Sequence, residues 1–404
     1  MSRISMRWAW RRRSSRCPIF RIAGRLFARW STQSSVCSDC FSSFPTLTMT
    51  YQRINPLPSA EEVLDRFPSS PGTHRVKDHR ARVRNVLNGT DPRLLMIVGP
   101  CSAWSSEAVQ EYADRLARFR ERIHERIEVV MRCYLQKPRT SEGWPGPLIQ
   151  PDPLAEQDIV KGIWSCREMM HRVGTQLPLA DEMLYIGDDP YFADLLTYVA
   201  LGARSSADQQ HRDVASGLLS MDDDCPVGVK HPVEGSIEVG VDGVQRTQHP
   251  QHLPHGGWHV RTGGNRSAHL ILRGSPAGPN YDPQSMARAA KLMKEPKRDI
   301  ADPAIIVDAS HGNCGNGSGK DPTLQKHVVQ TVLRAREDGL DGYAMVRGCM
   351  VESFIISGRQ DIAATMRRDG QSITDPCLSW EDTEVLLLQA ADAADRIFGQ
   401  PATR

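Results

Sequence analysis

The feature that most constrains the fold is a repeated pattern in which short apolar runs alternate with longer amphipathic segments. Eight runs have the length and composition of buried parallel strands: residues 94–98, 127–131, 177–182, 199–204, 227–230, 269–273, 304–308 and 343–351. Helical patterns fall between most of them, at residues 105–126, 155–173, 190–198, 208–219, 284–295, 322–338 and 381–398. Eight β/α repeats predict an α/β fold, a (β/α)8 TIM barrel over residues 94–400. An open dinucleotide-binding sheet is disfavoured because no Gly-x-Gly-x-x-Gly motif follows the first run.

Residues 49–93 precede the barrel and predict an N-terminal helical extension. Ser59 stands before Glu61 and Glu62, as is typical of a helix N-terminus, and a second helix is predicted over about residues 79–87. Residues 244–268 break the repeat, since they are polar, rich in turn residues and contain four histidines. We predict an irregular solvated loop there, because Pro250, Pro254 and the lack of acidic or cysteine partners disfavour a metal site.

The composition excludes two classes of protein and suggests a compartment. The 404 residues contain no apolar run near the ~18–20 residues that span a bilayer, so no membrane protein is expected. From Met49 onward 41 basic residues face 47 acidic ones, a balance that argues against a nucleic-acid partner. The ten cysteines follow no disulfide or zinc-finger spacing, so we expect reduced thiols and a cytoplasmic location.

Residues 1–48 form an Arg-rich head with nine arginines, no lysine and one acidic residue, Asp39. This composition fits either a translation start placed upstream of the true one at Met49 or a transit peptide, and it predicts a disordered segment. A chain that starts at Met49 should therefore keep the melting temperature and the turnover of the full chain. A large drop in the melting temperature of the shortened chain would show instead that the head packs on the folded body.

In a TIM barrel the active site lies at the C-terminal ends of the strands, and six cations stand at or just after predicted strand ends. They are Arg132, Lys137, Arg139, Arg204, Lys230 and Arg273. In a body with an acidic balance, such a cluster repels itself unless a polyanion neutralises it, and guanidinium groups match phosphate and carboxylate geometry. The cluster predicts a substrate with about two phosphates and a carboxylate.

A second set at the strand ends mixes a thiol, an imidazole and two carboxylates: Cys101, His311, Glu352 and Asp375. Taken alone, Cys101 is more simply a small buried side chain and His311 a hydrogen-bonded loop residue. Their shared position at the barrel mouth favours a divalent metal cofactor, one of Mn, Fe, Co or Zn, over Mg or a structural zinc.

Long motifs in a consistent order resemble type I 3-deoxy-D-arabino-heptulosonate-7-phosphate (DAHP) synthase over about residues 57–398. They are residues 94–102 (LLMIVGPCS), 129–140 (VVMRCYLQKPRT), 202–204, 210–212, 215–217, 226–230 (PVGVK), 269–274 (HLILRG), 308–313 (DASHGN), 350–353 (MVES), 372–375 and 380–383. The resemblance implies 3-deoxy-7-phosphoheptulonate synthase activity, a transferase reaction. Phosphoenolpyruvate, erythrose 4-phosphate and water would give DAHP and inorganic phosphate, the first step of the shikimate pathway.

The resemblance also implies roles for single residues. Phosphoenolpyruvate would be bound by Arg132, Lys137, Arg204, Lys230 and Arg273, and the aldose phosphate by Arg139 and Thr140 with Lys137 and Pro138 beside them. Ala203 and Asp375 would also belong to the substrate-binding residues. Cys101, His311, Glu352 and Asp375 would hold the metal. Lys137, Glu182 and His311 would be the catalytic side chains, and we expect neighbouring cations to lower the pKa of Lys137.

Two alternatives remain besides this enzyme: a secondary-metabolism paralogue that uses a modified aldose phosphate, and a non-catalytic regulatory subunit. The partners expected are the two substrates and further copies of the chain, in a dimer or tetramer. One stretch departs from the resembled family, in which an apolar hairpin contributes to binding of an aromatic inhibitor. Here residues 247–262 are mostly polar, so we expect weak or absent feedback inhibition by phenylalanine or tyrosine.

Overall fold

A computed structural model describes residues 52–68, 73–139, 141–184, 186–187, 189–218, 224–315 and 319–399. Residues 55–404 form one compact unit, and Met1–Ile54 is assigned to another, of which only residues 52–54 are described. The head 1–48 lies outside the described residues, so the predicted boundaries at 49 and 94 stay predictions. Among the described residues no helix is long and apolar enough to cross a lipid bilayer.

Eight parallel strands close a barrel, which confirms the predicted fold class. The chain order is β1 (Leu94–Gly99), β2 (Ile127–Arg132), β3 (Leu179–Met183), β4 (Leu196–Leu201), β5 (Val227–Lys230), β6 (His252–His255), β7 (Trp258–Arg261), β8 (His269–Leu272), β9 (Ile305–Asp308), β10 (Val346–Glu352), β11 (Ile356–Arg359) and β12 (Gln371–Ser372). The barrel order is β1-β10-β9-β8-β5-β4-β3-β2, while β6 pairs with β7 and β11 with β12. Strands β1 and β2 are buried along their whole length, as their apolar sequences predict.

The helices surround the barrel and cover its outer face. They are α1 (Ala60–Arg66), α2 (Thr73–Asn88), α3 (Ser106–Arg120), α4 (Ile159–Gly174), α5 (Asp189–Phe192), α6 (Gln209–Ala215), α7 (Ile237–Gln248), α8 (Pro283–Met293), α9 (Leu324–Glu337) and α10 (Trp380–Phe398). Ser59 forms the predicted cap of α1, since its side chain and that of Glu62 each accept a hydrogen bond from the other's backbone N–H.

Two predictions about these elements are wrong. The helix predicted over residues 190–198 is replaced by the short helix α5, which ends at Phe192. Strand β4 begins at Leu196 and ends at Leu201, so Arg204 lies in the turn after the strand. The predicted irregular stretch from residue 244 begins instead in α7, which extends to Gln248. The sequence obscures α7 because Gly240 and Gly243 interrupt its helical pattern.

Helix α2 closes the N-terminal end of the barrel. Its residues Val83, Val86 and Leu87 belong to a buried cluster with side chains from inside the barrel, among them Leu95 and Ile306. The N-terminal extension is therefore part of the barrel core, because these inward-pointing side chains would otherwise face water.

A polar network joins the same helix to β2. Glu128 on β2 is fully buried, and it contacts His79 and Arg82 of α2 and Arg93 just before β1. Burial by itself would raise the pKa of Glu128, but His79, Arg93 and Arg82 outweigh it and lower that pKa. Removal of one partner would leave a buried charge without compensation, so it should lower the free energy of unfolding.

The segment predicted to be an irregular loop is a β-hairpin, with His252 opposite Arg261 and His255 opposite Trp258. Pro254 does not prevent pairing. The N–H of Thr262 donates to the carbonyl of Gln251 at 2.9 Å, and hydrogen-bonded pairs alternate along antiparallel strands. Pro254 therefore lies at a non-hydrogen-bonded position of the hairpin, where the partner strand offers no carbonyl that requires a donor from this residue. Gly256 and Gly257 form the turn with φ of 56° and 80°, as a two-residue hairpin turn requires.

His269, at the start of β8, should make the protein less stable in acid. Its ring is buried, its Nδ1–H donates to the carbonyl of Ser267, and its Nε2 accepts from the Tyr198 hydroxyl at 2.8 Å. Burial lowers the pKa of His269 to about 4. Because the folded-state pKa lies below the ~6.5 of an unfolded histidine, its stabilising contribution is complete above pH ~6.5 and is lost as the pH falls toward 4. We expect roughly 3 kcal/mol of lost unfolding free energy from this residue.

Denaturant unfolding at several pH values checks this expectation when the wild type is compared with His269→Gln, whose side chain does not titrate. The variant should lose less unfolding free energy than the wild type between pH 6.5 and 4. Equal losses in both proteins would show that His269 does not contribute to the acid sensitivity.

Candidate active site

Three of the predicted cations surround one aromatic ring at the C-terminal end of the barrel. The guanidinium carbon of Arg132 lies 3.9 Å from the ring centroid of Tyr134, and the Nζ atoms of Lys137 and Lys230 lie 5.8 and 5.6 Å from it. The ring of Tyr134 is buried, so it separates and partly compensates charges that would otherwise repel one another in a low-dielectric environment.

Arg132 at the end of β2 is fully buried and pairs with Glu352 at the end of β10. Its Nη2 donates to Glu352 Oε1 at 3.0 Å, and Ser310 donates to the other carboxylate oxygen at 2.7 Å. Among the described residues, Arg132 Nη1 and Arg273 Nε are buried atoms without a hydrogen-bond partner. Such unpaired donors are costly unless a ligand accepts from them, and a phosphate or carboxylate is the acceptor that arginine fits best.

Lys230 at the end of β5 contacts two acids. Its Nζ donates to Glu182 Oε1 on β3 at 2.9 Å and lies 3.7 Å from Asp308 Oδ2 on β9. Burial alone would raise the pKa of Glu182, but the charges of Lys230 and Lys137 outweigh it and lower that pKa to about 2. Glu182 is therefore a carboxylate at neutral pH.

The described residues contain one group of side chains able to hold a metal ion: Cys101, Glu352 and Asp375, with ligand atoms within 4.8 Å of one another. His311, the fourth predicted ligand, is not a member of this group, although its Nε2 lies 3.9 Å from Glu352 Oε1. Burial and the charge of Glu352 raise the pKa of the Cys101 thiol. The carboxylates of Glu352 and Asp375 give the group negative charge that a cation would balance.

Lys137 joins the two parts of the site, because its Nζ donates to the carbonyl of Cys101 at 2.8 Å and lies 3.1 Å from Cys101 Sγ. The expectation of a lowered pKa is wrong. Burial lowers the pKa of Lys137, but its electrostatic interactions with Cys101, Glu352 and Glu182 outweigh burial and raise the pKa overall. The direction of this pKa shift is therefore decided by the acidic neighbours of Lys137 and not by the other cations of the site.

A cavity of about 510 Å³ opens beside the metal-capable group. It is lined by Arg273 and Ser275 after β8, by His311 after β9 and by Lys320, whose ammonium pairs with Asp375. His311 adopts a φ of 57°, uncommon for a residue other than glycine. The cavity presents cationic and imidazole side chains to an anionic ligand next to the place where a metal would bind.

The remaining predicted substrate residues lie at the edge of the mouth. Arg139 is exposed and its Nε donates to the carbonyl of Trp144 at 2.8 Å, while Arg204 is exposed and Pro138 and Ala203 are half-buried. Thr140 lies outside the described residues. Both arginines are exposed, whereas Arg132 is completely buried.

Sequence analysis missed three residues of this site. Tyr134 follows Arg132 by two positions, so strand alternation could have placed both on one face. Asp308 closes an apolar run, as the predicted cations do. Lys320 stands in a loop of Gly, Asn and Ser, and no pattern in the sequence indicates its pairing with Asp375.

The hairpin β6-β7 borders a second cavity, of about 580 Å³. Leu253 and Val260, which pair across the hairpin, both line it, together with Val214 and Leu218. The mostly polar stretch 247–262 therefore still contributes two apolar side chains to the wall of this cavity, because alternation points them to one face of the hairpin.

Comparison with known proteins places the chain in a family. The DAHP synthetase I family matches residues 69–388. The chain is 36% identical over 355 residues to the Trp-sensitive phospho-2-dehydro-3-deoxyheptonate aldolase of Escherichia coli K12, covering 86% of this chain and 97% of that protein. It is 35% identical over 344 residues to the phenylalanine-inhibited enzyme of Saccharomyces cerevisiae, covering 82% and 90%.

A solved structure of phospho-2-dehydro-3-deoxyheptonate aldolase from Francisella tularensis SCHU S4 superimposes with a TM-score of 0.78 at 32% identity, over 86% of this chain and 99% of that one. The family match and the fold of this solved structure confirm the resemblance found in the sequence. The chain belongs to the DAHP synthetase I family.

Proposed function

We propose that this protein is a 3-deoxy-7-phosphoheptulonate synthase, which condenses phosphoenolpyruvate with erythrose 4-phosphate and water to give DAHP and inorganic phosphate. One observation carries the proposal. A buried cationic pocket around Tyr134 lies directly beside a Cys/Glu/Asp group, and Lys137 contacts both. This arrangement suits a phosphorylated acid that must react with an aldehyde.

Phosphoenolpyruvate is assigned to the inner, buried part of the pocket. Arg132 and Arg273 hold the unpaired donors, and Lys230 adds a third charge. The aldose phosphate is assigned to the outer part, near Pro138, Arg139 and Thr140, with Asp375 toward its hydroxyl groups. The half-exposed position of Pro138 and the exposure of Arg139 suit a substrate that reaches the solvent.

The donor set fits a divalent transition metal better than a hard ion such as Mg, because a thiol stands among carboxylates. Cys101, Glu352 and Asp375 would hold the ion, with His311 as the fourth ligand. When bound, such an ion polarises the aldehyde oxygen as a Lewis acid. His311 is also assigned a catalytic role, since it lines the cavity next to this group.

The residues of the pocket then account for the reaction. C3 of phosphoenolpyruvate forms a bond to the aldehyde carbon, and Lys137, which keeps its proton at Nζ, donates it to the developing alkoxide. The carboxylate of Glu182 stabilises positive charge at C2 and accepts a hydrogen bond from the water that adds there. One proton of the added water restores Lys137. The C2 hydroxyl then becomes a carbonyl as the bond from C2 to the phosphate oxygen breaks, its proton leaves with the phosphate, and Arg132, Arg273 and Lys230 stabilise the departing phosphate.

An assay of phosphoenolpyruvate loss with erythrose 4-phosphate, with an amino-substituted analogue and with no aldose separates the candidate functions. The proposal predicts rapid loss that requires erythrose 4-phosphate. Faster loss with the amino analogue would favour the secondary-metabolism paralogue. No loss under any condition, from protein loaded with metal, would favour the regulatory subunit.

We keep weak inhibition by phenylalanine and tyrosine as a prediction. Leu253 and Val260 give the second cavity an apolar patch, but His255, Arg261 and Thr262 of the same hairpin also line it. An aromatic ring against this mixed wall should lose about 1–2 kcal/mol of burial free energy, which weakens binding roughly tenfold or more. Initial rates at subsaturating phosphoenolpyruvate, with each aromatic amino acid including tryptophan, check this. Half-inhibition at tens of micromolar by phenylalanine or tyrosine would contradict it.

A homo-oligomer of two or four chains in the cytoplasm completes the proposal. Its support is the family membership together with exposed apolar side chains, such as Leu57 and Trp258, that suit subunit contacts. Light scattering on the eluted protein determines the number of chains.

A further inference from the structure

His231 directly follows Lys230 and is completely buried behind the active site. Its Nε2 accepts hydrogen bonds from the backbone N–H of Arg273 at 3.1 Å and from Asn280 Nδ2 at 2.8 Å. Its Nδ1–H donates to the carbonyl of Pro232 at 2.9 Å. A backbone N–H can only donate, so the contact with Arg273 fixes which ring nitrogen carries the proton.

Two buried asparagines extend this contact into a network. Asn280 Oδ1 accepts from the N–H of Gly274, and the N–H of Asn280 donates to Asn313 Oδ1 at 2.9 Å. Asn313 Nδ2 donates to the carbonyl of Asp308 at 2.8 Å. The network therefore joins the C-terminal ends of β5, β8 and β9, which carry Lys230, Arg273 and Asp308.

The backbone around the network leaves no room for adjustment. Gly274 has a φ of 68°, and a Cβ added there would lie 2.4 Å from the carbonyl carbon of Gly312. The loops after β8 and β9 are thus in backbone contact at this point. A shift of the Arg273 N–H would move the loop that carries His311 as well.

We infer that His231 is a positioning residue for phosphoenolpyruvate binding, which holds Arg273 in register with Lys230 through the Asn280 and Asn313 amides. The inference rests on the proposed function, because Arg273 is assigned to phosphoenolpyruvate there. Burial, and then the charge of Arg273, lower the pKa of His231 to about 4, so the ring is neutral and Nε2 keeps the lone pair that the network needs. The side chain does not touch the reacting atoms and acts through Arg273.

The test compares His231→Leu, His231→Gln and His269→Leu in the full-length, metal-loaded protein. Leucine removes the acceptor, whereas the Oε1 of glutamine reaches about as far as Nε2 and restores it. His269 is the matched control, because it is an equally buried histidine on β8 that contacts Tyr198 and Ser267 rather than Arg273. All variants are compared with Arg273→Ala as the reference for lost phosphoenolpyruvate binding.

In His231→Leu we expect the KM for phosphoenolpyruvate to rise about tenfold, as the loss of one or two hydrogen bonds predicts. The KM for erythrose 4-phosphate should change less than twofold, and His231→Gln should recover most of the loss. His269→Leu should lower the melting temperature without changing either KM. If His231→Leu does not fold, Asn280→Ala replaces it with the same expectation.

An unchanged KM for phosphoenolpyruvate in His231→Leu, with a raised KM in Arg273→Ala, overturns the positioning role and leaves the proposed function intact. Equal rises in His231→Leu and His269→Leu also overturn it, since they would show a general effect of destabilisation. A normal KM in Arg273→Ala overturns both the substrate assignment and the inference built on it.

Discussion

Removal of divalent metal should abolish the consumption of phosphoenolpyruvate, and added Mn²⁺ should restore it. The expectation follows from the close group of Cys101, Glu352 and Asp375, because two carboxylates and a soft thiol suit a divalent transition metal. In Cys101→Ala the soft ligand is lost. Metal affinity should fall by more than the roughly 10–100-fold that follows loss of a supporting residue around a metal site.

Metal content after dialysis, measured beside the initial rate, separates binding from catalysis. Cys166→Ala is the matched control, because Cys166 is an equally buried free cysteine on α4, outside the metal-capable group. It should keep both metal and activity. Full activity in the chelated wild type would show that the metal assignment is wrong.

Replacement of Lys137 by methionine should lower kcat by about 10²–10⁴-fold, the usual contribution of a positioned proton donor. Among the described lysines, Lys137 is the one that contacts both Cys101 and the ring of Tyr134, so no neighbouring lysine replaces its proton. Methionine keeps most of the side-chain volume and removes the charge. Rates should be measured at saturating concentrations of both substrates so that the effect on kcat is seen separately from binding.

Lys326→Met is the matched control for this variant. Lys326 also pairs with an acid, Asp382, but it lies on α9 and contributes nothing to the mouth. It should keep kcat within about twofold, as surface ion pairs contribute little. Metal content should be unchanged in both variants, and a normal kcat in Lys137→Met would exclude Lys137 as the proton donor.

The barrel could be predicted because its strands are mostly apolar and are separated by amphipathic helices. Helix α7 could not, since Gly240 and Gly243 weaken its pattern. The structure explains these glycines: a Cβ added at Gly240 would lie 2.9 Å from Leu270, and one at Gly243 would lie 2.8 Å from Val229. They allow α7 to pack closely on β5 and β8, and this tertiary contact outweighs the low helix propensity of glycine.

The site could be predicted as a list of strand-end residues, because the fold brings those ends together. Their pairing could not. Lys137 was expected to have a lowered pKa from its cationic neighbours, whereas its distances to Cys101, Glu352 and Glu182 decide the opposite sign. The role of His231 could not be predicted for a related reason, since no sequence pattern after a strand indicates the two hydrogen bonds that its Nε2 accepts from Arg273 and Asn280, beyond β8.

The most direct measurement of the central claim uses phosphoenolpyruvate with ¹⁸O in the oxygen that bridges C2 and phosphorus. Mass spectrometry of the complete reaction with erythrose 4-phosphate should find the label in inorganic phosphate, beside an equal amount of seven-carbon sugar phosphate. That result requires water to add at C2 and the bond from C2 to the bridging oxygen to break, as the positions assigned to Glu182, Arg132 and Lys230 demand. Label retained in the sugar, or phosphate released without erythrose 4-phosphate, would contradict the account.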